Sequence, residues 1–178
     1  MQRFRIALAA TLVAWSWIAV AEEAPVELDA FAVLRATGTV LATGSETHVF
    51  AGTMRGPYFV DVGQGPVPAG EIACAGLIQA DEVTGQQTGS AHCRLRAVDG
   101  AVSYGEFTCD GFRLIGCNGR FKLTGGEGRM EGAHGEGSIT LRRYETELLS
   151  ETLGVVEEAA LGIAFWKDFR VTVPEPAQ

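Results

Sequence analysis

"KLTGGEGRMEGAHGEGSITL", residues 122–141, places six glycines in twenty positions and closes on an alternating run. Glycine at that density suits a phosphate-cradling loop, a flexible linker or the corner of a β-sheet. A phosphate loop needs Gly-Lys-Ser or Gly-Lys-Thr opening a helix, and neither tripeptide occurs in this run. A dinucleotide fingerprint also needs a helix after the glycines, whereas residues 137–144 alternate like a strand. A linker is excluded by its flanks. Phe121 and Leu123 alternate with Arg120 and Lys122 before the run, and Ile139 and Leu141 share one face after it. What remains is a strand–turn–strand corner, where glycine supplies positive φ and lets two backbones pass closely.

Upstream of the corner the chain reads as a meander. "EIACAGLIQA" and "GSAHCRLRA" flank the polar stretch "DEVTGQQT", a loop signal. Folding that hairpin about its midpoint sets Cys74 opposite Cys93. Asp99-Gly100 then favours a two-residue type I′ turn. With that turn Ala97 opposes Val102, Leu95 opposes Tyr104, and Cys93 opposes Glu106. Period-two alternation puts Leu95, Ala97, Val102, Tyr104 and Glu106 on the inner face, with Arg94, Arg96 and Ser103 outside. Cys109 and Cys117 bracket "DGFRLIG" and oppose each other if that segment is a second tight return. The expected disulfides are Cys74–Cys93 and Cys109–Cys117, each closing a short loop and contributing about 2–3 kcal/mol.

"ETHVFAGTM" and "PYFVDVG" read as two further strands, with Gly-Pro punctuation at strand starts and turns. Residues 26–34 fit a strand or a short helix. "TELLSETLGVVEEAALGIAFW" is also open: Leu148, Leu149, Leu153 and Val156 make a helical stripe, while "IAFWKDFRVTV" suits strands. Short strands with glycine-rich turns point to an all-β sandwich or barrel.

Arg3 and Arg5 precede an apolar run over residues 6–20, and Ala19-Val20-Ala21 offers the small residues of a signal-peptidase site. The run falls short of the roughly 20 residues a membrane-crossing helix needs. Residues 1–21 are therefore expected to be a cleaved secretory signal, leaving no membrane anchor and a single domain over residues 22–178. The mature chain then carries 12 basic against 22 acidic residues, a surface that repels phosphate backbones and makes nucleic acid an unsuitable partner. Export, to the periplasm or outside the cell, also suits disulfides.

The corner has a further feature. "FKLTGGEGRMEGAHGEGSITL" resembles the strand–glycine-corner–strand signature of allene oxide cyclase-like and dirigent-like barrel proteins. Thr124, Gly125, Gly126, Gly128, Gly132, Ala133, Gly135 and Gly137 stand where that signature expects them, with Met130 replacing the usual aromatic. The resemblance implies a closed antiparallel barrel of about eight strands with an apolar cavity, assembled into dimers or trimers. It implies no single activity. Some such proteins cyclise or isomerise reactive small molecules, and dirigent-type ones steer radical coupling without forming bonds themselves.

Candidate chemistry is sparse. An inward Glu106 beside Tyr104 would have its charged form destabilised and could serve as an acid or base, so these two are the candidate catalytic residues. A one-residue slip in register would instead turn Glu106 to water. His48, His92 and His134 match no metal spacing, and neither a metal nor an organic cofactor is expected. Ser138 lies outside any Gly-x-Ser-x-Gly setting. Asp61 and Glu71 are expected to face solvent. Trp166, Phe165 and Phe169 are expected to fill the core or an assembly face. The expected function is an exported barrel that binds or orients a hydrophobic small molecule. The rivals are a cyclase or isomerase acting in the same cavity, and a fully packed barrel serving as a protein-interaction module.

Overall fold

A computed structural model describes residues 24–113, 115–152 and 155–174. The expected signal, residues 1–21, lies outside the described residues. Eight antiparallel strands follow one another around a closed barrel: β1 Val26–Ala42, β2 Thr47–Asp61, β3 Pro66–Asp81, β4 Gln86–Ala97, β5 Val102–Phe112, β6 Gly116–Glu127, β7 His134–Thr152 and β8 Val155–Thr172. β8 pairs back onto β1, so every strand has a neighbour on both sides and no edge is left open.

Both open segments are strands. Residues 26–34 belong to β1, and of the stretch with the helical stripe residues 146–152 lie in β7 and 155–166 in β8, paired from Thr152↔Val155 onward, while Leu153 lies outside the described residues. Closing the barrel requires a last strand to join β1, and that pairing overrides helix periodicity. The two strands expected over residues 46–63 are one strand, β2, running through Gly56-Pro57. Its ladder to β1 lapses there while the register holds, from Arg35↔Arg55 to Ala32↔Tyr58. Proline has no N–H to donate, which suits it to that gap.

The glycine run is the corner connecting β6 to β7. One 3-10 turn, Gly128–Met130, links the strands. Gly128 and Gly132 have φ of 64° and 72°, the left-handed region that penalises side chains. Glu131 N–H donates to the Gly128 carbonyl and Ala133 N–H to the Met130 carbonyl, which pins the turn and tucks Ala133 into the core.

The β4–β5 hairpin corrects the expected register by one residue. Gly100 N–H donates to the Ala97 carbonyl and Ala97 N–H to the Ala101 carbonyl, with Gly100 at φ 89°. This is a three-residue loop with a left-handed glycine rather than a two-residue type I′ turn. The pairs are therefore Arg96↔Val102, Leu95↔Ser103, Arg94↔Tyr104, Cys93↔Gly105 and His92↔Glu106. Ser103 turns inward, and Tyr104 and Glu106 turn outward.

Both expected disulfides are present. Cys74 and Cys93 face each other directly in the β3–β4 ladder, with Cα atoms 4.0 Å apart. Cys109 and Cys117 are instead diagonal neighbours, because Cys109 faces Gly119 and Cys117 faces Gly111. All four sulfurs belong to residues inside the barrel, where they join Ile72, Phe107, Phe121, Ile139 and Trp166 in a middle layer of core. The Trp166 ring meets Phe121 edge-on at 5.7 Å. Phe121 lies over Gly105, and Phe169 over Gly137; a Cβ at either glycine would come within 2.4 Å and 2.7 Å of the ring. A bulge in β8 at Lys167-Asp168 resets the alternation, so Trp166 and Phe169, an odd number of residues apart, both point inward.

Candidate functional site

The middle layer divides the interior into two chambers. One opens at the end formed by the β1–β2, β3–β4 and β5–β6 connections, and has a volume of about 370 Å³. Its apolar wall includes Leu34, Val40, Phe50, Met54, Ile78 and Leu141. The other opens at the glycine-corner end and is about 450 Å³. Both volumes fall in the range of about 300–1,000 Å³ typical of small-molecule sites. The interior is thus not packed throughout.

Among the described residues, acidic and basic side chains gather together at the first chamber. His48 stands on the inward face of β2 with Phe50 and Met54, Arg143 follows Ile139 and Leu141 on β7, and Glu158 precedes Ala160 on β8. Glu82 is delivered by the turn after β3. Asp81 Oδ1 there accepts the Val83 and Thr84 N–H groups, at 2.9 and 2.7 Å, together with the Thr84 hydroxyl. Those bonds hold the Asp81 carboxyl below the usual carboxylate range, the Thr84 N–H contributing most. The Glu82 N–H also donates to the Glu46 carbonyl, which ties the turn to the β1–β2 connection.

Held in this way, Glu82 contacts two partners. His48 Nδ1 lies 3.1 Å from Glu82 Oε1, screened from solvent but off-line for a hydrogen bond. The other carboxylate oxygen pairs with the Arg113 guanidinium. Across the mouth Arg143 Nη1 lies 3.5 Å from Glu158 Oε1, and its Nη2 donates to the Arg113 carbonyl. Gln87 is the one buried amide of the chamber. Arg113 and Arg143 are offset by Glu82 and Glu158, while a third arginine of the rim, Arg142, donates to the Leu141 carbonyl at 3.0 Å and to Asn118 Oδ1 at 3.3 Å. The chamber therefore offers an apolar body with a polar rim whose charges are mostly paired, suited to a largely apolar molecule with a few polar substituents. A histidine beside a carboxylate at such a rim is also a workable proton acceptor or donor.

The residues expected from sequence stand elsewhere. Tyr104 is on the outer wall, where its hydroxyl donates to the Glu127 carboxylate, and that bond is the main cause of its raised pKa. Glu106 is on the outer wall too, 3.8 Å from His92 Nδ1 and opposite Lys122. Neither lines a chamber, so the premise of an inward acid is corrected by the hairpin register. His134 begins β7 in an exposed position, its Nδ1 3.2 Å from the Gly132 carbonyl. Among the described residues no three His, Cys, Asp or Glu side chains gather as metal ligands would.

No protein-family model matches this chain, and no curated protein matches it. Among solved structures it is similar to that of the pterocarpan synthase dirigent protein GePTS1, with 12% identity, 89% of this chain and 99% of that one covered, and a TM-score of 0.29. A likeness of that degree adds nothing to the strand pairing that defines the barrel.

The mouth cluster was accessible to sequence reasoning in one respect. Alternation places His48 with Phe50, Arg143 with Leu141, and Glu158 with Ala160; polar residues on an otherwise apolar face are the signal. Their convergence was not accessible, because it depends on closure between β1 and β8 and on how the loops carry Glu82 and Arg113.

Proposed function

We propose that this chain is an exported barrel that binds and orients a hydrophobic small molecule in the mouth chamber, dirigent-like in that it makes and breaks no bonds itself. The observation that carries this reading is the apolar chamber of about 370 Å³ rimmed by paired charges. The resemblance of the glycine corner supports it, and two disulfides fit an oxidising compartment. The test uses N-phenyl-1-naphthylamine, a neutral apolar fluorophore. Ala36→Phe fills the wall of the chamber, and titration of that variant should show one equivalent of bound probe fewer than the parent protein. Equal stoichiometry in both would contradict the reading.

The contact between His48 and Glu82 favours a second reading, a cyclase or isomerase working in the same chamber. His48→Gln distinguishes the two. Retained binding with lost turnover supports the enzyme, and retained binding with no turnover in either protein supports the binder.

We further infer that copies of the chain associate through the outer face of β8, β1 and β2. Phe31 stacks on Phe59 there at 4.9 Å and adjoins Phe165, beside exposed Val33 and Leu161. A contiguous apolar patch of this kind on a strongly acidic chain suits burial against another copy.

A further inference from the structure

We propose that the chamber at the glycine-corner end is a second, separate binding site, for a neutral and largely apolar molecule carrying a hydrogen-bond acceptor for the Trp166 indole N–H. It does not depend on the mouth chamber being occupied. The two spaces share no lining residue, and Ile72, Phe107, Ile139 and the buried cystines lie between them.

Three observations set the chemistry of the ligand. First, Trp166 is 5% exposed and its Nε1 is buried without a hydrogen-bond partner, while its ring forms part of the chamber wall. A buried N–H without an acceptor is costly and is rarely left so in a folded protein, so an acceptor on the occupant repairs a real deficit. Second, the wall is otherwise apolar and aromatic, with Phe121, Phe169, Leu95, Leu123 and Met130 against the space. Flat rings suit such a wall. Third, the described residues offer the chamber no free charge. Among the described residues Arg129 is the only charged one lining it, and its guanidinium is engaged by Asp99. A charged ligand would lose its hydration there with nothing to replace it. Tyr58 and Ser103 add hydroxyls to the wall, and burial raises the Tyr58 pKa, so its phenol remains a neutral donor or acceptor.

The site is also bounded by the feature the sequence marks most strongly. Arg129 and Met130 belong to the turn of the glycine corner, and the Arg129–Asp99 contact joins that turn to the tip of the β4–β5 hairpin. The corner thereby supplies part of the wall of this chamber, and none of the mouth chamber.

Trp166 is the only tryptophan after residue 21, so its emission reports on this chamber alone in the mature chain. The experiment uses two near-isosteric neutral probes, 2-acetylnaphthalene and 2-ethylnaphthalene, of which only the first carries an acceptor. Binding is measured by equilibrium dialysis and by quenching of Trp166, on protein purified after export from its host. The Ala36→Phe background fills the mouth chamber. In that background the ketone should still bind at one equivalent and quench Trp166, and Ala30→Phe should abolish both effects. If Ala30→Phe does not fold, Ala97→Leu narrows the same chamber from its rim and should weaken the ketone. Trp166→Phe should weaken the ketone about tenfold relative to the hydrocarbon, the scale of one buried hydrogen bond. The proposal is overturned if Ala36→Phe alone removes all binding and quenching, an outcome that leaves the mouth chamber as the sole site and the proposed function intact. It is equally overturned if Trp166→Phe weakens both probes alike, or if the folded chamber-filling variant binds as the parent does.

Discussion

Asp81 and Asp99 do parallel work at opposite ends of the barrel. Asp81 caps the turn that presents Glu82, and Asp99 binds Arg129 while accepting the Ala101 N–H at 3.1 Å. The Asp99 carboxyl is lowered chiefly by Arg129, and Asp81 chiefly by the Thr84 N–H. A carboxyl lowered on folding stabilises the fold above its unfolded value, near 3.9, and loses that contribution as pH falls through the folded value. Asp99→Asn should therefore flatten the acid limb of the melting temperature between about pH 4 and 2, and parallel profiles for the two proteins would contradict the assignment. Asp168 offers a test of backbone rather than charge. It holds φ 51° in the β8 bulge, and its N–H donates to Asp29 Oδ1 at 3.0 Å. A β-branched residue tolerates that conformation poorly. Asp168→Val should be less stable than Asp168→Gly by about 1–2 kcal/mol in denaturant melts. None of these local roles could be read from residue type alone. An aspartate beside a turn is a common signal, but which donor it caps depends on the loop closing around it.

At the level of single elements, the β6–glycine–β7 corner was the most legible part of the chain and the β4–β5 hairpin the least. The corner is overdetermined: alternation on both flanks, no helix signal, and glycine at both left-handed positions. The hairpin turned on one choice between a two-residue and a three-residue loop, both compatible with Asp99-Gly100. That one residue moved Tyr104 and Glu106 from the cavity to the outer wall and Ser103 from the wall to the cavity. A register slip of one is the smallest error the backbone permits, yet it reverses a whole face. Cysteine pairing survived the same uncertainty, because Cys74–Cys93 was fixed by the β3–β4 hairpin and Cys109–Cys117 needs only neighbouring places on one face. Gly128→Ala probes the corner cleanly. No atom lies within 4 Å of an added Cβ there, so the cost is conformational, about 1 kcal/mol or somewhat more. Gly105→Val should cost more, since its side chain would have to displace the Phe121 ring from the core. Equal destabilisation of the two variants in chemical melts would contradict that ranking.

For the molecule as a whole, closure of β8 onto β1 produces both the interior and the exterior that matter. Inside, it brings Glu158 and Arg143 to the same rim as His48 and Glu82. Outside, it sets Phe165 beside Phe31 and Phe59, residues far apart in the chain. If that face joins copies, Phe165→Glu should convert the assembly to monomer in light scattering after size exclusion. A parent protein already monomeric at micromolar concentration would contradict the interface. Strand spacing and glycine punctuation made the all-β class legible but left a sandwich or a barrel; the closed barrel was what the resemblance of the glycine corner implied. The division into two chambers was not, because it follows from where Trp166, Phe121 and the cystines meet across strands distant in sequence. The central claim is that the mouth chamber holds a hydrophobic small molecule, and its most direct test is mass spectrometry of an organic extract of protein purified from its own host. The extract of the parent should contain a small molecule stoichiometric with the chain that is missing from the extract of Ala36→Phe. Identical extracts from the two folded proteins, neither richer than the buffer, would contradict it.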